Sequence, residues 1–227
     1  MADSSPRIDA VVFDLDGVLV QSEHLWDEAR RELVAEEGLQ WPPDATQAMM
    51  GMSSPEWSAY VRDEIGVQRS AEEINDEVVE RLRAHYREQI PWLPGAQDAV
   101  RRLAERWPLG LATSSNREVI EEILDAGLRD LFQVTVSSEE VARGKPSPDV
   151  YQEALRRLDV EPRHSAAIED STNGLLAADA AGMAVIAVPN DAHPPERHAL
   201  ERAGIVLDSL DDLTPEAVER AAGRKTA

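Results

Sequence analysis

The stretch I-D-A-V-V-F-D-L-D-G at residues 8–17 predicts the first strand of the fold. Its mostly apolar residues are rich in β-branched side chains, which indicates a strand that is buried rather than half-exposed. The stretch ends in two acids, Asp14 and Asp16, followed by Gly17, a residue that favours a sharp bend. We therefore expect a buried strand that delivers carboxylates to one edge of a sheet.

The chain from Pro94 onward alternates further apolar strands with helical segments, the pattern of a parallel sheet covered by helices. We predict these strands at 109–113, 133–136, 166–169, 184–188 and 205–207. Helices are predicted near 96–106, 117–126, 149–158 and 173–181, and a last one begins at Thr214. The fold class that follows is α/β, with a doubly wound parallel-sheet core.

A block of helical sequence separates the first strand from the others. Apolar residues recur at helical spacing, and capping signals predict helices over 23–37, about 55–65 and from 71 onward. We expect residues 1–21 and 91–227 to form the α/β core domain. Residues 22–90 would form an inserted, all-helical cap domain.

Charge and composition exclude several classes of partner. The 227 residues include 44 acidic and 23 basic side chains, a formal net charge of -21, which opposes binding to nucleic acid or an anionic membrane. The chain has no cysteine, so disulfides and metal–thiolate sites are excluded. No run of about 18 apolar residues is present, so we expect a cytoplasmic protein with no membrane partner. A monomer is the default expectation.

Polar residues follow the predicted strands at their carboxyl ends, where open parallel sheets bind ligands. Four acids there would repel one another unless a cation is present, and their hard oxygen ligands suit Mg2+. The lysine and hydroxyl groups suit a phosphate, so the combination predicts metal-assisted phosphoryl transfer. The residues are Asp14 and Asp16 after the first strand, Thr113, Ser114 and Ser115 after the second, Lys145 after the third, and Glu169 and Asp170 after the fourth.

Four short motifs resemble the four ordered motifs of the haloacid dehalogenase superfamily. They are F-D-L-D-G-V at 13–18, A-T-S-S-N at 112–116, G-K-P-S-P-D at 144–149 and I-E-D-S-T-N-G at 168–174. The helical block after the first motif resembles the type 1 cap subgroup, which includes the β-phosphoglucomutase-like sugar phosphatases. This resemblance covers nearly the whole chain. It implies a Mg2+-dependent phosphatase that acts on a small phosphorylated metabolite, such as a sugar or polyol phosphate.

The resemblance implies a role for each acid. Asp14 would attack phosphorus and form an aspartyl phosphate, and Asp16 would serve as general acid and then general base. Glu169 and Asp170 would complete the metal site with Asp14 and the Asp16 carbonyl, and Asp170 is the better candidate for direct metal contact. The structural alternative for each acid is a turn or a solvated surface position.

The phosphate would be bound by the residues of the second and third motifs. Thr113 would offer its hydroxyl, Ser114 and Ser115 their backbone amides, and Lys145 its ammonium. For the two serines an alternative stays open, because Ser-Ser-Asn ahead of a helix is also a good N-terminal cap.

The cap sequence bears on the choice of substrate. Glu23, His24, Trp26 and Met52 are candidates to face the site, although Trp26 suits a cap core equally well. In the mutase branch of the family a His aligns with Trp26 and a phosphate-binding Arg aligns with Ala48. The absence of both favours a phosphatase over a phosphosugar mutase, which is the alternative. Haloacid dehalogenation is less favoured, because it needs neither Mg2+ nor the second acid and so gives no role to Asp16 and Asp170. A non-catalytic binding domain is less favoured, since all four motifs are intact.

Overall fold

The central feature of the fold is a six-stranded parallel sheet with strand order β3-β2-β1-β4-β5-β6. The computed structural model describes residues 7–49, 52–190 and 193–225. The strands are β1 (Ala10–Phe13), β2 (Leu109–Thr113), β3 (Phe132–Ser137), β4 (Ser165–Glu169), β5 (Ala184–Ala187) and β6 (Ile205–Val206).

Helices cover both faces of this sheet. Successive residues of β1 alternate between two apolar clusters, because Val11 and Phe13 pack in one and Val12 packs in the other. The α/β prediction is therefore confirmed. The core helices are α5 (Ala96–Ala104), α6 (Arg117–Asp125), α7 (Asp149–Leu158), α8 (Thr172–Ala180), α9 (Arg197–Leu200) and α10 (Pro215–Lys225).

The described residues between β1 and α5, where the sequence predicts the helical cap, form four α-helices. They are α1 (Glu23–Glu36), α2 (Ala45–Ala48), α3 (Ser54–Tyr60) and α4 (Ala71–Glu88). The two connections to the sheet lie side by side, since the Gln21 amide donates to the Pro91 carbonyl across 2.9 Å and Val20 forms a bridge with Trp92. The division of the chain into two domains remains a prediction.

The structure differs from the predicted elements mainly at their ends. The helix predicted over about 55–65 changes at Val61–Ile65 into a π-helical turn that ends at Gly66, whose φ of 94° suits glycine. Two short helices, α2 and α9, were not predicted, since four residues are too few for a periodic signal. Within the described segments, no helix combines the length and the apolar character needed to cross a membrane.

Candidate active site

The register of the sheet brings the predicted site residues to one edge. Phe13 pairs with Leu111 of β2 on one side and with Ile168 of β4 on the other. The Asp14 amide continues this ladder by donating to the Ile168 carbonyl across 3.0 Å. The polar residues that follow β1, β2 and β4 therefore lie beside one another.

Three carboxylates form a buried cluster at this edge. Asp14, Glu169 and Asp170 are 6%, 0% and 4% exposed, and each offers a carboxylate oxygen within 4.8 Å of the others. Gly17 makes room for this approach, because a Cβ there would lie 1.9 Å from Asp170 Oδ2 and its φ is 82°. The turn after β1 therefore requires glycine.

Lys145 lies among these acids as a buried counter-charge. Its Nζ is 2.7 Å from Asp14 Oδ1 and 2.6 Å from Glu169 Oε1, and it lies 4.9 Å from the centre of the Tyr151 ring. Burial alone would lower the pKa of Lys145, but the carboxylates of Asp14 and Glu169 more than offset it and hold that pKa above its usual value. The ammonium therefore remains charged.

Glu169 and Asp170 are adjacent in sequence but differ in their hydrogen bonds. Glu169 Oε1 accepts from Lys145 and from the Tyr151 hydroxyl at 2.7 Å, and Oε2 accepts from the Asp170 amide at 3.1 Å and the Ser171 hydroxyl at 3.2 Å. Asp170 Oδ1 is buried and has no hydrogen-bond partner among the described residues. Asp170 thus has an oxygen free for a cation, whereas Glu169 is held by protein donors.

The electrostatics of the cluster fit a bound cation. Burial raises the pKa of Asp14 to about 8, because the opposing effect of Lys145 is countered by Glu169 and Asp16. Burial, together with Glu169 and Asp14, raises the pKa of Asp170 well above its usual range. An additional positive charge would favour both ionised forms, and three carboxylates with an unpartnered oxygen are a donor set for a hard divalent ion.

Asp16 is oriented by hydroxyl groups from two parts of the chain. Its carboxylate accepts hydrogen bonds from the hydroxyls of Ser22 and Ser115, and from that of Thr113 across 3.4 Å. Ser22 immediately precedes α1, so this contact joins the sheet edge to the helical block.

The second motif departs in part from the expected geometry. The Ser115 amide, which we expected to face a phosphate, donates instead to Thr113 Oγ1 across 3.0 Å. The reason is local, because the turn after β2 places this amide against the hydroxyl two residues earlier. Ser114 is half-buried, and its carbonyl accepts from the Ser138 hydroxyl across 3.2 Å. In this structure Ser115 orients Asp16.

The four predicted cap residues lie in different surroundings. Glu23 is near the acids, since its charge contributes to the raised pKa of Asp170, and it pairs with His193 across 3.2 Å. His24 is exposed on α1, and Met52 is half-buried against the apolar core. Trp26 is half-buried and meets Trp57 edge-on, with ring centres 6.0 Å apart.

Sequence reasoning missed three residues near the site: Ser22, Arg30 and Tyr151. The Tyr151 hydroxyl and the Ser22 hydroxyl have no distinguishing sequence pattern, because a tyrosine on an apolar helix face and a serine ahead of a helix are ordinary. For Arg30 a signal was present, since it stands four residues after Trp26 and so shares a face of the predicted helix.

The same four motifs match a known family. Residues 8–182 match the profile of the haloacid dehalogenase-like hydrolases. The chain belongs to this family. Hexitol phosphatase B of Escherichia coli strain K12 is 36% identical to this hydrolase over 220 residues, which cover 93% of this chain and 97% of that enzyme. The resemblance to the sugar-phosphatase subgroup is therefore confirmed.

Two further comparisons bear on length and fold. A bifunctional riboflavin kinase/FMN phosphatase of Arabidopsis thaliana is 34% identical over 206 residues, and the chain spans about half of it, 54%. The crystal structure of CbbY from Rhodobacter sphaeroides in complex with phosphate superimposes with a TM-score of 0.84 at 32% identity. That match covers 93% of this hydrolase and 99% of the CbbY chain.

Proposed function

We propose that this haloacid dehalogenase-like hydrolase is a Mg2+-dependent phosphatase that acts on a small sugar or polyol phosphate. The observation that carries the proposal is the buried cluster in which Asp14, Asp170 and Lys145 meet at the carboxyl edge of the sheet. A nucleophilic carboxylate, an acid with an unpartnered oxygen and a fixed ammonium are the groups that phosphoryl transfer requires.

The first step transfers the phosphoryl group to Asp14. One Asp14 oxygen attacks phosphorus, the bond from phosphorus to the leaving oxygen breaks, and Asp16 gives its proton to that oxygen. Lys145 stabilises the negative charge on the phosphoryl oxygens, and the Thr113 hydroxyl, which lies 3.4 Å from the Asp16 carboxylate, donates to a phosphoryl oxygen. The products are the free alcohol and an aspartyl phosphate.

The second step hydrolyses the aspartyl phosphate. A water molecule attacks phosphorus, Asp16 accepts its proton, and the bond from phosphorus to the Asp14 oxygen breaks. The hydroxyls of Ser22 and Ser115 hold the Asp16 carboxylate in place for both proton transfers. Inorganic phosphate leaves, and Asp14 and the protonated Asp16 are regenerated.

Asp14, Asp170 and the Asp16 carbonyl would hold the Mg2+ ion. A bound divalent cation neutralises charge on the phosphate and screens its repulsion from the carboxylates. Glu169, whose two oxygens are occupied by protein donors, would position Lys145 and the Asp170 backbone rather than the ion itself.

The similarity to hexitol phosphatase B supports a polyol or sugar phosphate as substrate. The mutase alternative lacks support at Trp26, whose indole packs against Trp57 and cannot act as a base. That the protein binds neither nucleic acid nor membranes and lies in the cytoplasm remains a prediction from the sequence, and a monomer remains the default expectation.

The test is a phosphate-release screen over sugar, polyol and nucleoside monophosphates, with and without EDTA. We expect release from polyol or sugar monophosphates that EDTA abolishes and added Mg2+ restores. Asp14→Asn should abolish it, and Asp98→Asn, which removes an exposed carboxylate on α5 that pairs with Arg101, is the control. Release that survives EDTA would contradict the Mg2+ requirement, and conversion of β-glucose 1-phosphate to the 6-phosphate without release would favour the mutase.

A further inference from the structure

Among the described residues, no acceptor binds the guanidinium of Arg30 on α1. Its centre lies 5.2 Å from the ring centre of Trp26 and 4.5 Å from that of Trp57. Its Nε is buried without a hydrogen-bond partner, and among the described residues no hydrogen bond or ion pair joins the side chain to the protein. A guanidinium held by two rings but left with free N–H donors is arranged to bind something else.

The guanidinium lies close enough to the sheet edge to be affected by the charge there. Helical side chains lean toward the N-terminus, so the Arg30 side chain reaches back over the turn that holds Trp26. That turn follows Ser22, whose hydroxyl binds the Asp16 carboxylate. The negative charge of Asp16 is close enough to act on the pKa of Arg30.

Asp16 marks where the leaving group must be. In the proposed reaction Asp16 protonates the oxygen that connects phosphorus to the alcohol portion of the substrate. That alcohol portion would therefore extend from Asp16 toward the helical block. On α1, Glu23 and Arg30 both lie close enough to Asp16 for its charge to act on them. Trp26 lies against Arg30. The alcohol portion of the substrate would therefore meet a guanidinium, an indole and a carboxylate.

We propose that Arg30 binds the hydroxyl groups of the leaving alcohol and makes the enzyme selective for polyhydroxylated monophosphates. This inference rests on the proposed phosphatase function. The planar fork of the guanidinium donates to two neighbouring hydroxyl oxygens, and Trp26 offers apolar surface to the C–H groups between them.

A neutral polyol suits this position better than a second phosphate. Burial lowers the pKa of Arg30 to about 10, with Asp27 and Asp16 partly opposing the shift, so the guanidinium stays charged at neutral pH. The acids Asp27 and Asp16 lie close enough to this charge to act on its pKa, and Asp27 also pairs with Arg31. A second dianionic group at Arg30 would be repelled by the Asp27 carboxylate, whereas hydroxyls accept from the guanidinium without that cost.

The experiment compares two substrates within each variant. In the Mg2+-loaded enzyme we would measure kcat/KM for glucitol 6-phosphate and for p-nitrophenyl phosphate. The nitrophenyl leaving group carries no additional hydroxyl group that Arg30 could bind. Arg30→Gln is expected to lower the ratio of the two values about 10- to 100-fold, the worth of hydrogen bonds from a charged donor. The control is Arg31→Gln, because the Arg31 guanidinium is already bound to Asp27 and Thr46; its ratio should match the wild type.

Several outcomes would overturn the inference. A purely structural role for Arg30 would lower both activities together and leave the ratio unchanged. If Arg30→Gln fails to fold, Arg30→Lys keeps the charge but loses the planar fork and the stacked geometry, and an unchanged ratio in that variant would equally overturn the inference. Wild-type preference for fructose 1,6-bisphosphate that Arg30→Gln removes would show that a second phosphate is bound instead. A wild-type enzyme that is silent on every monoester would contradict the phosphatase function itself.

Discussion

The Lys145 ammonium donates a 2.7 Å hydrogen bond to Asp14 across 131 positions of sequence. Both side chains are nearly inaccessible to solvent. A buried ion pair of this kind is costly to form and is retained where charge is needed at a fixed point. In the proposed reaction it would fix the nucleophile and offer a positive group to the incoming phosphate.

Replacing Lys145 by methionine should impair both folding and activity. It leaves Asp14 and Glu169 buried without their counter-charge, which costs about 3–5 kcal/mol of unfolding free energy. Loss of the phosphate-stabilising ammonium should reduce kcat about 100-fold or more. Denaturant melts and phosphate release measure the two effects. Arg143→Gln in the same loop is the control, since Arg143 is exposed and pairs only with Asp149 among the described residues; a Lys145→Met enzyme with control-like activity would refute the role of the lysine.

Tyr151→Phe should weaken the response to Mg2+ without unfolding the protein. The phenylalanine ring keeps the contact with Lys145, but Glu169 loses the 2.7 Å hydrogen bond from the tyrosine hydroxyl. Mutation of a group that orients the metal ligands typically lowers the affinity for the metal 10- to 100-fold. We therefore expect the Mg2+ concentration for half-maximal activity to rise about 10-fold. Tyr60→Phe, on α3 in the helical block, controls for the change of residue type. An unchanged Mg2+ titration would show that the hydroxyl has no positioning role.

Asp170→Asn should stabilise the metal-free protein while it abolishes the effect of Mg2+. The carboxylate is buried beside Glu169 and Asp14, and its Oδ1 has no hydrogen-bond partner in the described segments, so removal of its charge relieves repulsion. We expect a higher Tm in EDTA than the wild type and no further rise with Mg2+. A lower Tm in EDTA would mean that the acid stabilises the fold itself.

Metal-free protein should lose stability as the pH rises from about 4 to about 8. The folded state raises the pKa of Asp14 to about 8 from 3.8, so it retains a proton that the unfolded chain releases. This contribution is present at acidic pH and is lost as the pH rises through the folded pKa. Mg2+ should therefore raise the Tm more near pH 8 than near pH 5, as scanning calorimetry in EDTA and in Mg2+ would show. An equal shift at both pH values would argue against a carboxylate site for the ion.

Sequence alone predicted the sheet and the acids because both depend on local signals. An uninterrupted apolar run before Asp14 or Glu169 specifies a buried strand, and parallel topology brings the strand ends together. Four ordered motifs then identified the chemistry. Element ends were less certain, since the π-helical turn after Tyr60 depends on packing rather than on periodicity.

The finer division of roles depends on contacts between distant residues. Glu169 and Asp170 look alike in sequence, and the positions of Lys145, Tyr151 and Ser171 decide which one keeps a free oxygen. Arg30 meets Trp57 because α1 and α3 come together in the folded chain, 27 positions apart. No local sequence pattern predicts contacts between residues that are this far apart in the chain.

The most direct test of the account is to trap the phosphoryl group on Asp14. With p-nitrophenyl phosphate the leaving group departs without an acid, but hydrolysis of the intermediate still needs Asp16 as base. In Mg2+, Asp16→Asn should therefore release about one equivalent of nitrophenol per enzyme in a burst. The peptide that contains Asp14 should then gain the mass of one phosphoryl group, while Asp14→Asn shows neither burst nor label. The account would be contradicted if the wild type turns over but Asp16→Asn shows neither a burst nor a labelled peptide. A label that persists in Asp14→Asn would contradict it as well.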